Sequence, residues 1–265
     1  MSDTLLETVL EPGGLSVVFQ PIFDVSGGGR RLHALECLIR GPKGTNLESP
    51  EILFEYARRK RAEAEVDRAC VATALRVAAE LPGCPDLSIN VHASTLGRDH
   101  EFLVFLGDTA ESHQVSLGRV TVEIVEHAFP WDGPRFQSAL AALRAIGVRI
   151  ALDDVGRGQS NYRMILDCRP DYFKVDRYFV QGCRGDFYRQ AVIESVVDLA
   201  TKFGARVVAE AVETEGDFDT VTGLGIDLVQ GHLLARAMPA SKLVAGDFLR
   251  PTEPPGGAPG LADPA

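Results

Sequence analysis

Val148-Arg-Ile-Ala-Leu-Asp-Asp-Val-Gly156 and, further along, Asp171-Tyr-Phe-Lys-Val-Asp176 decide how this chain is read. The first stretch has the pattern of a buried β-strand that runs straight into two adjacent carboxylates, Asp153 and Asp154. The second is a short apolar run carrying Lys174 where a core side chain is expected. Two acids and an ammonium are costly to bring into the apolar end of a sheet unless something compensates them. A divalent cation would do so. Fold and chemistry then turn on whether other oxygen ligands converge on the same place.

Working outward, strands and helices alternate. Upstream lie a strand at Val120–Val125 and a helix at Pro134–Ile146, ended by Gly147. Downstream come a short helix at about 159–167, the Lys174 strand, a helix from Asp186 to Phe203 and Gly204 as its stop. Strands at Ala205–Glu210 and Ile226–Gln230 follow, with helices at 215–223 and 240–249. At the front, Leu15–Gln20 and Leu32–Arg40 flank the turn Ser26-Gly-Gly-Gly-Arg-Arg31 and form a hairpin. The pattern of 50–81 predicts one helix, capped by Ser49, with Pro50 in its first turn and Pro82 behind it. A strand at Leu87–Val91 and a helix at about 100–111 complete the series. Units recurring at about 30 residues predict an α/β chain, a (β/α)8 TIM-like barrel with an antiparallel first strand. No GxGxxG follows a strand, which counts against a doubly wound dinucleotide fold. Residues 1–14 are a lead-in, 15–250 the barrel, and 251–265 a Pro/Gly-rich tail that is disordered by composition.

With 45% hydrophobic and 24% charged residues over 265 positions, the composition is that of an ordinary globular chain. No apolar run is long enough for membrane insertion and no signal peptide opens the chain, so the expected compartment is the cytoplasm. Cys37, Cys70, Cys84, Cys168 and Cys183 are scattered, outside CxxC pairs, and read as reduced thiols. Cys37, on a strand, reads as packing rather than as a redox sensor. The net charge of −10 argues against polymeric nucleic acid as a partner, because that needs an extended cationic surface. A small anion held through metal ions remains compatible with it.

Successive strands each carry a polar side chain in or near their C-terminal ends: Glu36, Asn90, Glu123, Asp153 with Asp154, Lys174, Glu210 and Gln230. Singly, each has an ordinary structural explanation. Jointly, on one barrel rim, they would face inward, where solubility does not account for them. Carboxylates with an amide oxygen suit Mg2+ or Mn2+, and the absence of His and Cys argues against zinc. Neighbouring aspartates can serve two ions about 3.5–4 Å apart, an arrangement used for phosphate ester displacement. Lys174 could orient the attacking hydroxide or neutralise developing charge. The residues alone therefore point to a metal-dependent phosphodiesterase and leave the substrate open.

Ordered stretches from about residue 15 to 240, among them Phe19-Gln-Pro-Ile22, Glu36-Cys-Leu-Ile-Arg40, Leu152-Asp-Asp-Val-Gly-Arg-Gly158 and Phe173-Lys-Val-Asp176, make the chain resemble the EAL-domain family of cyclic di-GMP phosphodiesterases. Phe19-Gln-Pro-Ile22 is similar to YQPI, Glu36-Cys-Leu-Ile-Arg40 to EALLR, Ile89-Asn-Val91 to VNLS, and Val122-Glu-Ile-Val-Glu126 to LEITE. Leu152-Asp-Asp-Val-Gly-Arg-Gly158 resembles LDDFGTG, and Phe173-Lys-Val-Asp176 resembles LKID. Val208-Ala-Glu-Ala-Val-Glu-Thr214 resembles AEGVET, and Gln230-Gly231 resembles QGY. The resemblance implies cleavage of cyclic di-GMP to linear pGpG. It implies one Mg2+ or Mn2+ on Glu36, Asn90, Glu123 and Asp153, and a second on Asp153 and Asp154 with Glu210 nearby. Lys174 would contact the catalytic water, Glu210 would be a further candidate base or metal support, and Gln230 would fix water or substrate. Gln20 and Arg40 would hold the ligand, and Arg40 suits a phosphate. Glu126 would anchor the loop after Asp154, which couples metal binding to dimerisation in this family, so a homodimer is a family expectation. Asp176 and Glu213 would be supporting polar groups, Asp176 on the ligand side.

The chain departs from the pattern at Cys37 for Ala, Gly41 for Trp, His92-Ala93 in the VNLS motif, Val155 and Arg157 in the aspartate loop, and Ala211 for Gly. None removes a ligand of the expected cations. Those in the Val155–Tyr162 loop, where Gln159-Ser-Asn-Tyr162 also replaces a YSSL-like run, motivate an alternative of another class: a non-catalytic cyclic di-GMP receptor or interaction module with an altered loop. A barrel enzyme acting on another phosphoester or an enolisable acid is disfavoured by the hairpin start and by Gln20 and Arg40, through the resemblance.

Overall fold

The computed structural model of the chain describes residues 4–125, 133–155, 162–246 and 248–249. Its strands are β1 (Ser16–Asp24), β2 (Arg31–Arg40), β3 (Leu87–His92), β4 (Val120–Val125), β5 (Arg149–Val155), β6 (Tyr172–Val175), β7 (Arg206–Ala209) and β8 (Leu228–Val229). Its helices are α1 (Thr4–Leu10), α2 (Pro50–Lys60), α3 (Glu63–Ala78), α4 (Ala93–Arg98), α5 (Phe102–Ser112) and α6 (Gly133–Ala145). They continue as α7 (Tyr162–Cys168), α8 (Arg177–Val180), α9 (Phe187–Phe203), α10 (Glu215–Gly223) and α11 (Ala240–Ala245).

The strands close into a barrel in the order β1 to β8. β1 runs antiparallel to both β2 and β8, and all other neighbours are parallel. This is the (β/α)8 architecture with an antiparallel first strand that the pattern predicts. Pro21 sits inside β1 because pairing to β8 is confined to Phe23 and Asp24, so no ladder bond is demanded of it on that side. No helix among the described residues is long and apolar enough to cross a membrane.

Strand alternation divides the apolar side chains into two regions. Ile22, Ala34, Val208 and Leu228, with Tyr172 against them, plug the barrel interior. The larger core lies between the sheet and the helices and includes Phe19, Leu87, Ile124, Phe136, Leu152 and Phe173. Two residues further along the same inward faces, beyond Ala34, Tyr172, Val208 and Leu228 of the plug and beyond Ser88, Thr121 and Ala151 beside it, the side chains are not apolar. They are Glu36, Asn90, Glu123, Asp153, Lys174, Glu210 and Gln230, and the fold places all of them inside the mouth.

Several elements differ from the expected ones for local reasons. The stretch expected as a single helix over 50–81 is two, α2 and α3, because Arg61 takes a left-handed conformation (φ 57°) that breaks the ladder. Ser49 stands at the N-cap of α2 but its side chain makes no capping bond; Pro50 presets the first turn instead. α4 was invisible in a six-residue stretch with little apolar periodicity, Ala-Ser-Thr-Leu-Gly-Arg. α9 behaves as expected: Asp186 accepts the Tyr188 and Arg189 N–H groups, and Gly204 closes the helix at φ 68°. The lead-in is not detached, since Val9 of α1 is buried in the outer core. Residues 251–265, expected to be a disordered tail, lie outside the described residues.

At the opposite end of the barrel Asp24 meets Arg206 at 2.9 Å and Ser26 Oγ at 2.6 Å. Burial works to raise the Asp24 carboxyl, but the hydrogen bonds from Ser26 and the Arg206 guanidinium outweigh it and bring the pKa down to about 2. A depressed carboxyl contributes stability above its usual pKa, and loses it as pH falls through the folded value. Asp24→Asn is therefore expected to cost about 1–2 kcal/mol in urea unfolding at pH 7. The difference between variant and parent should vanish near pH 2.

Candidate metal centre

Lys174 organises the mouth. β6 carries it inward between β5 and β7, and it is 1% exposed. Its Nζ lies 2.7 Å from Glu123 Oε2 and 2.7 Å from Glu210 Oε1. Glu36 Oε1 and Asp153 Oδ1 are each 3.5 Å away. Four carboxylates from β2, β4, β5 and the end of β7 thus surround one ammonium.

Amides complete the cup. Gln230 Nε2 donates to Glu36 Oε2 at 2.6 Å, and Asn90 Nδ2 donates to Glu36 Oε1 at 3.3 Å. Those donations spend the nitrogens and leave the amide oxygens for other partners. Ser88 Oγ, inward on β3 below Asn90, donates to Glu123 Oε1. The carboxylates of Asp153, Asp154 and Glu210 offer oxygens within 4.8 Å of one another. Asp154 reaches that place through a left-handed backbone (φ 52°), which lets two consecutive aspartates on one strand end serve the same side.

The charge balance shows in the protonation of these groups. Burial would raise Glu36, but the Lys174 ammonium and the Gln230 and Asn90 amides hold it below the usual carboxylate range. For Glu123 burial prevails over Lys174, the charges of Glu36 and Asp153 add to it, and the pKa is pushed up to about 8. Glu210 is likewise pushed well up by burial, with Asp153 and Glu36 contributing. Burial works against the Lys174 ammonium, yet its four acidic neighbours raise it well above the ordinary lysine value. Among the described residues Lys174 is the one buried cation facing these acids, too few to balance them, so protons substitute for the missing positive charge. Divalent cations could take the place of those protons.

The residues fit such cations. Among the described residues all the donors are oxygen, no His or Cys joins them, and the buried Oε1 of Gln230 has no hydrogen-bond partner. Hard divalent ions of the Mg2+ and Mn2+ type are what this donor set suits.

The expected ligand-holding residues are less uniformly gathered. A cavity of about 240 Å³ opens beside the cup, lined by Gln20, Glu36, Glu210, Gln230 and, on its outer side, Arg177, Gln181, Glu213 and His232. Gln20 Nε2 donates to Ala235 O at 3.2 Å across its edge. Glu213 is on the rim, 3.6 Å from His232 Nδ1. Arg40 stands outside that lining, its guanidinium turned back to Ile39 O at 2.9 Å. Asp176 is buried and caps α8 through the Tyr178 N–H at 2.9 Å. Glu126, Arg157 and the segment 156–161 lie outside the described residues. Cys37 is 2% exposed, and burial with the charges of Glu36 and Glu123 pushes its thiol well up, away from the thiolate that redox sensing needs.

Sequence reading missed Ser88, Arg177, Gln181 and His232. Ser88 could have been found from its two-residue spacing to Asn90 on β3; Arg177 opens the four-residue α8, Gln181 ends it and His232 sits on a loop, none with such a period. Ala211 is a further local feature, because the structure gives it φ 51°, a conformation that favours glycine. The neighbouring Gly231 is obligatory, since a Cβ there would meet Val212 O at 2.0 Å. Ala211→Gly should stabilise the fold by about 0.5–1 kcal/mol in thermal or urea unfolding. Gly231→Ala should be severely destabilising.

Comparison with known proteins places this geometry. A family model described as "EAL domain" matches residues 3–237. A cyclic di-GMP phosphodiesterase of Pseudomonas aeruginosa is 34% identical over 164 residues, 62% of this chain and 27% of that protein. The cyclic di-GMP phosphodiesterase PdeB of Shewanella oneidensis is 27% identical over 235 residues, 87% of this chain and again 27% of the relative. The chain thus spans about a quarter of the length of these curated relatives. Among solved structures, the calcium and cyclic di-GMP complex of Klebsiella pneumoniae BlrP1 superposes with a TM-score of 0.77 at 29% identity, covering 90% of this chain and 58% of BlrP1. An EAL domain protein of Listeria monocytogenes gives a TM-score of 0.79 at 23% identity, covering 93% of this chain and 97% of that one, and attests the shared fold.

Proposed function

This chain belongs to the EAL domain family, and from that premise we propose that it is a divalent-cation-dependent phosphodiesterase that hydrolyses cyclic di-GMP to linear pGpG. The observation that carries this is the cup itself: four carboxylates within 3.5 Å of Lys174, with the Asp153, Asp154 and Glu210 oxygens within 4.8 Å of one another. Glu36, Asn90, Glu123 and Asp153 would hold one Mg2+ or Mn2+, and Asp153, Asp154 and Glu210 the second. Bound cations supply an acidified water and neutralise charge building on phosphoryl oxygens.

The chain's own side chains do the rest. Lys174 keeps the acids converged and places an ammonium where a phosphoryl oxygen or the attacking water would lie. Gln230 and Asn90 lock Glu36 by donation. Glu210, 2.7 Å from Lys174, would support the second cation and is the further candidate for a proton-accepting role. Gln20 reaches the adjoining cavity, and Arg40 and Asp176 would hold the ligand from the ends of β2 and β6. Glu126 and Glu213 would support the loops on either side. The relatives named as cyclic di-GMP phosphodiesterases and the BlrP1 complex with calcium and cyclic di-GMP support the substrate. The net charge of −10 supports a small ligand reached through cations over polymeric nucleic acid.

A homodimer is part of the proposal. Tyr162 and Leu166 of α7, Tyr178 of α8, and Phe187 and Tyr188 of α9 are each more than 60% exposed, an apolar set a second copy could cover. The barrel is proposed as residues 15–250 packed with its lead-in, acting in the cytoplasm.

The test is turnover of cyclic di-GMP with Mg2+ or Mn2+, the product identified by chromatography, for wild type and Glu36→Ala. Metal-dependent pGpG from wild type alone is the expected result. Tight cyclic di-GMP binding without turnover would instead make the chain a receptor module.

A further inference from the structure

The end of β3 that presents Asn90 is unevenly supported by the sheet. Its pairing to β4 runs through Asn90↔Glu123 to His92↔Val125. Its pairing to β2 stops earlier, at Cys37↔Ile89. The strand end that carries Asn90 therefore has a ladder on one side only.

Asp67 of α3 stands at this place, 1% exposed. Its Oδ2 accepts the His92 N–H at 2.9 Å and the Thr95 hydroxyl at 2.6 Å, and its Oδ1 lies 2.8 Å from His92 Nδ1. Phe54 of α2 holds the His92 ring edge-on, 5.1 Å between centroids. One buried carboxylate thus ties together the last residue of β3, the first turn of α4 and the helix outside them. A buried acid with three donors is expensive to desolvate and strongly directional once satisfied. Among the described residues the hydrogen bonds of Asp67 go to His92 and Thr95, outside the cup.

We propose that Asp67, acting with His92 and Thr95, is a positioning residue that sets Asn90 for the cation. Because Asn90 Nδ2 donates to Glu36 Oε1, a shift of the β3 end moves two of the four ligands assigned to one ion. The inference rests on the metal-dependent reading of the cup. Groups that orient ligands from behind change metal affinity or activity by about 10–100-fold when lost.

The experiment measures Mn2+ binding to the full chain by calorimetry and by electron paramagnetic resonance, without substrate, alongside melting in chelator. Asp67→Asn keeps the shape but turns a donor toward donors, and should weaken Mn2+ binding about ten-fold. Thr95→Val removes one of the three bonds and should weaken it by a smaller factor. Asp99→Asn is the control: it breaks the Arg68 pair at the far end of α4, and should change melting without changing Mn2+ affinity. At saturating Mn2+ the KM for cyclic di-GMP should be unchanged in Asp67→Asn.

Asp67→Asn that is folded, even if less stable, with wild-type Mn2+ affinity would overturn the proposal and leave Asp67 purely structural. If that variant does not fold, wild-type affinity in Thr95→Val overturns it. Wild type with no Mn2+ affinity would overturn the metal reading and this inference together. Mn2+ binding without turnover overturns the hydrolase reading alone.

Discussion

Lys174→Met should abolish turnover and lower the stability of the metal-free protein by about 3–5 kcal/mol, the cost of removing one partner from a buried ion cluster. Lys174 is the only cation within reach of Glu36, Glu123, Asp153 and Glu210 among the described residues, and methionine fills its volume without its charge. The acids left behind would repel one another inside the barrel. Added Mn2+ should therefore recover more stability in the variant than in wild type, read as the shift of the urea midpoint with and without metal. Equal metal-free midpoints for variant and parent would sink the account of Lys174 as the hub of the cup.

Asp153→Asn is the second large effect expected. Asp153 belongs to both proposed ligand sets, near Lys174 on one side and to the Asp154 and Glu210 oxygens on the other. Asparagine keeps the shape and removes the charge that a bridging position needs. Turnover should fall by at least about 10³-fold. Binding of cyclic di-GMP with a non-productive cation should persist, because losing one negative charge beside two phosphates does not oppose them. Retention of a tenth or more of wild-type turnover would sink the shared-ligand role. The two variants separate the functions of the centre: Lys174 should report on stability and rate, Asp153 on rate.

Much of the centre was legible from residue order. Period-2 alternation puts Glu36, Asn90, Glu123, Asp153, Lys174 and Gln230 on inward faces once the strands are recognised, and a closed barrel brings inward faces together at one mouth. Asp153-Asp154 and Lys174 were conspicuous because charge interrupts apolar runs, where a physical reason is required. Helix termini with short-range chemistry were legible too, as at Asp186 and Gly204. The break at Arg61 was not, because both flanking segments have helical periodicity and the left-handed residue is not a glycine. Arg177 and His232 escaped because a four-residue helix and a loop carry no usable period.

The sequence by itself determined the architecture, the inward polar set and the oxygen-only chemistry, all of which depend on local spacing and side-chain type. Only the tertiary structure decided which oxygen answers which nitrogen. Lys174 favours Glu123 and Glu210 over Glu36 and Asp153, and Glu36 is lowered while Glu123 rises to about 8. The physical reason is that Coulomb interaction and desolvation depend on distances of a few ångströms between residues remote in the chain. Asp67 makes the same point: an unremarked acid in a helical pattern becomes the support of Asn90 only when β3 and α3 pack together.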